Sequence, residues 1–231
     1  MKVTFWGVRG SIPCAQKSHL EYGGNTSCIT VEKEGAVLIL DAGTGIVPLG
    51  KYLEAKNVKH ASLLLTHLHL DHIMGLPFFS PVWNPKFALE VLAGNLTKDG
   101  SKKKAKEGTS ELERVFNLVF GEPTFPVPIN AMRGITRFHD FVAGENFTLN
   151  GFEIKTIPLN HPNGATGYRI ELNGKNICFI TDVEHILGEI DDKLVSFIRD
   201  TDLFIYDTTY TDEEFLAKRG WGHSTWQQGI R

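Results

Sequence analysis

The chain has 231 residues, 42% of them hydrophobic and 22% charged, a composition that excludes the disordered and fibrous classes and is sufficient for one large core. Its formal net charge of -3 disfavours a dedicated nucleic-acid binder, because such domains carry a basic excess that neutralises phosphates, although a local basic patch remains compatible. Cys14, Cys28 and Cys178 are widely spaced and lack any CxxC or metal-ribbon spacing, so they read as buried free thiols.

The N-terminal "MKVTFWGVRGSIP" has a short apolar stretch cut by a glycine and an arginine, unlike a secretory signal. No segment approaches the roughly 20 consecutive apolar residues of a membrane helix. The expectation is a cytoplasmic protein with no membrane partner.

In chain order, "KVTFWGV" alternates and is rich in β formers, and "SCITVEKEGAVLILDAG" reads as two strands joined at "EKEG". "GIVPLGKYLEAKN" has helical periodicity, and "ASLLLTH" is an apolar run suited to a strand buried on both faces. The same grammar returns later. "FEIKTIPLN", "GYRIELNG" and "KNICFITD" read as strands, "DDKLVSFIRD" as a helix with Asp at its front, and "TDLFIYDTTY" as a further strand. A hairpin, a helix and a strand in each half predict two similar halves, with two sheets face to face and helices outside. Residues 81–128 differ: a lysine-rich patch over 98–106, a helix, and a proline-punctuated loop read as a solvated charged face or as an inserted lid or substrate arm.

The stretch "LLLTHLHLDHIMGLPFF" concentrates three histidines and an aspartate at the end of the apolar run. His67 and His69 are two apart, so an extended backbone projects both to one side, and Asp71 and His72 follow where the chain turns. A lone histidine such as His60 or His139 reads as an ordinary core histidine. A cluster of three imidazoles and a carboxylate would repel or go unsatisfied in a core, yet supplies the N and O donors that zinc and similar ions prefer. Further candidates stand after later strands or in Gly-rich turns: His161 in "IPLNHPNG", Asp182 in "ICFITDVEH" and His223 in "GWGHSTW". Taken singly, each has a structural alternative, such as a helix cap for an aspartate after a strand. Together with the first four they make seven candidate ligands.

"THLHLDH" resembles the His-x-His-x-Asp-His signature of the metallo-β-lactamase superfamily, and His161, Asp182 and His223 match its later metal motifs in order. The likeness covers nearly the whole chain and includes the "LDAGTG" loop with Asp41. It implies an α/β fold, the four-layer αβ/βα sandwich of two packed mixed β-sheets with outer helices, formed by one domain over 1–231 with the lid or arm inserted at 81–128. The phrases "GVRGSIP", "EYGGNTSCI", "LNHPNGATGYRIE", "ITDVEH" and "GWGHSTW" look most like the cyclic-nucleotide or cyclic-phosphate phosphodiesterase branch, and more distantly like ribonuclease Z.

Carried over residue by residue, the resemblance assigns His67, His69 and His161 to one ion, Asp71, His72 and His223 to the other, and Asp182 to a bridge between them. The implied cofactors are two divalent ions, zinc or alternatively manganese, which would acidify a shared water and clamp the attacking and leaving oxygens of an in-line displacement. Asp71 would orient the nucleophile. His185, three residues after Asp182, is the candidate general acid or phosphate contact, against a purely structural role. Asp41 is expected to orient a ligand histidine or steady its loop, and Asn25 and Thr26 to form a turn or donate into the site.

The implied activity is hydrolysis of a small, cyclic phosphodiester. The alternatives are RNA processing of the ribonuclease Z kind, with the "KDGSKKKAKEG" run against RNA, and thioester, lactone or β-lactam hydrolysis by the same ions. A redox di-iron relative would carry glutamate where His69 stands, and a non-catalytic metal-binding module would lack some ligands. The chain stops at Arg231, where relatives continue into a closing helix, so "STWQQGIR" reads as that helix's first turns and the sequence as short or fragmentary.

Overall fold

The structure, a computed structural model, describes residues 1–94 and 110–231. Two compact units emerge. Among the described residues, 1–94 and 110–140 form the first and Phe141–Arg231 the second. The lysine-rich 98–106 run lies outside the described residues.

In the first unit a six-stranded sheet has its strands in chain order: β1 (Lys2–Gly7), β2 (Cys28–Lys33), β3 (Ala36–Leu40), β4 (His60–Leu65), β5 (Ala88–Ala93) and β6 (Ile135–Asp140). β1, β2 and β3 pair antiparallel, and β3 through β6 pair parallel. The β2–β3 turn has both Glu34 and Gly35 at positive φ (52° and 87°), the geometry whose twist matches a two-residue hairpin. Helix α1 (Ile46–Ala55) crosses from β3 to β4 and buries Ile46, Leu49, Gly50 and Leu53, the i, i+3, i+4, i+7 set of one helical face. In β4 every residue after His60 is buried, as its unbroken apolar run requires of a strand covered on both faces.

Strands β5 and β6 are absent from the sequence reading. "ALEVLA" lies inside the 81–128 stretch, yet pairs with β4 through six residue partners, from His60 with Ala88 to Leu65 with Ala93. Its neighbours Val82, Phe87, Leu112, Phe116 and Ile129 belong to the first unit's core, so apolar side chains of that stretch are packed in the interior. Helix α2 (Leu70–Ile73) follows β4, and helix α3 (Glu111–Val119) starts at Ser110, whose hydroxyl caps the Glu113 N–H while Asp140, ending β6, accepts from the Glu111 and Leu112 N–H groups.

The second unit repeats the grammar. Its five-stranded sheet runs β11, β10, β9, β8, β7, from β7 (Phe147–Leu149), β8 (Phe152–Leu159), β9 (Ala165–Leu172), β10 (Lys175–Ile180) and β11 (Leu203–Tyr206). Strands β7 to β10 pair antiparallel, and helix α4 (Asp192–Ile198) leads into β11, which is parallel to β10. Helices α5 (Asp212–Leu216) and α6 (Trp226–Ile230) follow. The α/β class, two mixed sheets with helices, and the paired β-β-α-β order agree with the expectation. Among the described residues no helix is long and apolar enough to cross a membrane. Cys28 and Cys178 are buried free thiols, whereas Cys14 is free but only half-buried.

Candidate active site

In the first unit the chain leaves β4 at the buried Thr66 and His67, stays extended through His69, and turns into α2, whose first turn carries Asp71 and whose last carries His72. The Nε2 of His67 and Nδ1 of His69 face each other at 2.9 Å. Two nitrogens on one tetrahedral zinc stand about 3.3 Å apart, given Zn–N bonds near 2.0–2.1 Å. The Nε2 of His72 lies 3.4 Å from Asp71 Oδ2, which also accepts the Ser11 N–H at 2.9 Å. The four residues of the cluster therefore meet, as their spacing predicted.

Beneath them is Asp41, fully buried and in the left-handed backbone region (φ 59°), an uncommon conformation that places its carboxylate under the histidines. Its Oδ1 accepts the Thr66 N–H (2.8 Å) and its Oδ2 accepts the His72 Nδ1–H (2.8 Å) and the Ser27 hydroxyl (3.1 Å). The Thr66 hydroxyl also gives its proton to this carboxylate, so it receives the His67 Nδ1–H at 3.0 Å. Asp41 thus orients His72 directly and His67 through Thr66. Asn25 and Thr26 serve the loop instead. Thr26 Oγ1 accepts the Thr44 N–H and Thr44 Oγ1 accepts the Thr26 N–H, while Asn25 Oδ1 accepts the Thr44 hydroxyl.

In the second unit His161 follows β8, Asp182 follows β10 and His223 precedes α6. The His161 Nε2 is 3.6 Å from Asp182 Oδ2, and the His161 and His223 rings stand 5.5 Å apart, edge to face. Ligand atoms of Asp182, Asp207 and His223 lie within 4.8 Å of one another. Asp182 is buried and, like Asp41, sits at positive φ (55°) just past a strand. The His161 Nδ1–H donates to the Gly222 carbonyl at 2.7 Å, and the His223 Nδ1–H donates to Asp207 Oδ2 at 2.9 Å. Gly222 has a φ of 84°, and a Cβ there would overlap Nδ1 of His161 and Cδ of Pro162, so glycine is what lets the ring dock on that carbonyl.

The sequence reading missed Asp207. It directly follows β11 in "FIYD", the same position that Asp41 holds after β3, and this parallel was the available signal. The Thr209 N–H and hydroxyl both donate to its Oδ1, leaving Oδ2 aimed at His223. His185 stacks on Phe215, with ring centroids 4.2 Å apart, and its Nδ1 pairs with Ser224 Oγ at 2.7 Å. Burial holds its pKa below the usual histidine value, and its Nε2 is shielded from solvent with no hydrogen-bond partner.

Whether these donors suit a metal is a question of tautomer. A carboxylate and a carbonyl only accept, so His72, His161 and His223 each carry the proton on Nδ1, which makes Nε2 the nitrogen able to coordinate a cation. Imidazoles oriented this way beside aspartates have donor chemistry suited to a divalent ion.

The model of the beta-lactamase superfamily domain matches residues 37–231, and the chain belongs to that superfamily. It is 28% identical to the ribonuclease Z of Haloarcula marismortui over 172 residues, covering 74% of this chain and 47% of that protein, so the chain spans about half the length of this relative. Among solved structures, the short form of human tRNase Z superposes with a TM-score of 0.63 at 21% identity, covering 100% of this chain and 86% of the other. A diphosphatase of the PhnP family gives a TM-score of 0.63 at 17% identity, covering 99% and 79%. At these identities the structural likenesses show a shared fold, that of the metallo-β-lactamases.

Proposed function

We propose that the protein is a metal-dependent phosphodiesterase in which, as the family resemblance implies, His67, His69 and His161 would hold one divalent ion and Asp71, His72 and His223 a second, with Asp182 serving both. The observation that carries this reading is the acceptor behind each of His72, His161 and His223, which fixes Nε2 as the nitrogen offered to a cation. Zinc ions, or manganese in their place, would when bound acidify water and draw off charge developing on the phosphoryl oxygens.

The chain's own residues supply the orientation. Asp71, steadied by the Ser11 N–H, accepts the proton side of the attacking water and holds its lone pair toward phosphorus. Asp41 and Asp207 keep His72 and His223 in one tautomer, so no ring has to flip during turnover. His185 is the proposed proton donor or phosphate contact. With Nδ1 accepting from Ser224, the neutral ring offers its Nε2–H only as a hydrogen bond to a phosphate oxygen; giving a proton to the leaving oxygen requires the imidazolium, and in either role the shielded edge has to be uncovered first.

A small phosphodiester is the substrate we propose first, because the sequence between His72 and His161 offers only one short lysine-rich run for gripping a polynucleotide. RNA is the second reading, and what favours it is specific: the curated relatives carry the name ribonuclease Z. Zinc-loaded protein should hydrolyse bis-p-nitrophenyl phosphate in preference to an acyl ester or a chromogenic β-lactam. Preferential acyl hydrolysis overturns the phosphodiesterase reading. A panel of cyclic nucleotides beside a precursor tRNA bearing a 3′ extension then separates the two substrates.

A further inference from the structure

Glu184, two residues past Asp182, has no part in the proposed reaction, yet its hydrogen bonds reach every ligand loop of the second unit. Its Oε1 and Oε2 both accept the Gly220 N–H at 2.8 Å, and Oε2 accepts the Gly222 N–H at 2.8 Å. Its main chain is laced to the His161 loop: the Glu184 N–H donates to the Asn160 carbonyl at 2.7 Å, and Asn160 Nδ2 donates to the Glu184 carbonyl at 2.8 Å. The circuit closes at Gly222, whose carbonyl receives the His161 Nδ1–H. Thus one residue lies in the loop of Asp182, pairs with the residue before His161, and grips the turn that leads into His223.

The chemistry calls for a carboxylate. Gly220 and Gly222 are both left-handed (φ 86° and 84°), so the turn aims two backbone N–H groups at one point. An ionised carboxylate accepts both through charge-assisted bonds, whereas an amide offers a single oxygen and turns an N–H₂ toward the other donor. A free turn would let the Gly222 carbonyl drift, and the His161 ring would lose the acceptor that selects its tautomer.

We infer that Glu184 is a positioning residue: by clamping the Gly220–Gly222 turn it sets the His161 imidazole, and the entry of His223, for metal binding. The inference rests on the metal-ligand reading above, and is independent of which substrate is cleaved.

The test uses metal-free, ¹⁵N-labelled wild type, Glu184→Ala and Glu184→Gln at a pH where the histidines are neutral. Long-range ¹H–¹⁵N correlation reads each tautomer, and competition with a chromogenic chelator reads zinc affinity. In Glu184→Ala, His161 should pass from a single Nδ1–H tautomer to a mixture while His223, held by Asp207, keeps its own, and zinc affinity should fall by about 10- to 100-fold. Glu184→Gln, retaining one acceptor oxygen, should lie between. The role is overturned if the His161 tautomer is unchanged and zinc affinity stays within about twofold of wild type, inside the range of no effect on an outer-sphere partner. Should Glu184→Ala not fold by circular dichroism, Glu184→Gln is judged by the same two criteria. Wild type that binds zinc but cleaves no phosphodiester defeats the proposed function and leaves this inference standing. Wild type that takes up no zinc defeats the metal reading, and the tautomers alone then decide the positioning role.

Discussion

The two units solve one problem with different means. In the first, the candidate ligands are packed into the single stretch His67 to His72, and one buried carboxylate, Asp41, reaches His72 directly and His67 through Thr66. The stretch grows out of β4, a strand buried along nearly its whole length and flanked by core side chains such as Phe79 and Phe116. In the second, His161, Asp182 and His223 stand on three loops, and the orienting work is divided among Asp207, the Gly222 carbonyl and Glu184. Ligands contiguous in sequence need one rigid anchor, whereas ligands dispersed along the chain need a web of acceptors, each fixing one loop.

The largest expected effects treat both units alike and would break the comparison if they differed. Asp71→Ala in the first and Asp182→Ala in the second should each lower phosphodiester turnover by about 10²- to 10³-fold, since each removes a proposed ligand of the ions that would offset the charge developing on the phosphoryl oxygens. Turnover of zinc-loaded protein within tenfold of wild type for either variant, on the order of one lost outer contact, removes that residue from the site.

Next comes the single anchor. Asp41→Ala strands the Thr66 N–H and the His72 Nδ1–H in a buried site, and should cost about 3–5 kcal/mol of unfolding free energy in urea titration. Asp207→Asn is the counterpart in the second unit and should be milder in stability, because Thr209 can still be served by the amide oxygen. Its effect should appear as a zinc affinity lower by about 10- to 100-fold. Equal stability losses in the two variants would erase the contrast between one anchor and a web.

The smallest effect is on pH. Because burial lowers the His185 pKa below its unfolded value near 6.5, the folded state binds fewer protons there than the unfolded chain. The stability this histidine contributes is present above pH 6.5 and lost as pH falls through the lower folded value. Replacing His185 with Gln should therefore reduce the drop in melting temperature between pH 7.5 and pH 5.5, and an unchanged drop would show that other groups carry the acid side.

Much of this was legible beforehand for reasons that are local. The His67 to His72 cluster declares itself because its residues are neighbours, and the hairpins and crossover helices because alternation and the i, i+3, i+4 pattern are local too. Strands β5 and β6 were not. "ALEVLA" carries few β-branched residues, and "ITRFHD" mixes charge into its strand, so their assignment waited on the hydrogen bonds that β4 and β5 offer them. Asp207 and Glu184 were missed for a related reason: each is an ordinary acidic residue until the loop it binds, far along the chain, is brought to it.

What the amino-acid order determined alone was the superfamily, the α/β class and the identity of the candidate ligands, since donor chemistry and spacing are properties of short segments. Tertiary structure alone decided which nitrogen each imidazole presents. That choice belongs to the acceptor on the far side of the ring, Asp41, the Gly222 carbonyl or Asp207, and a tautomer is set by a contact between residues that only folding makes neighbours.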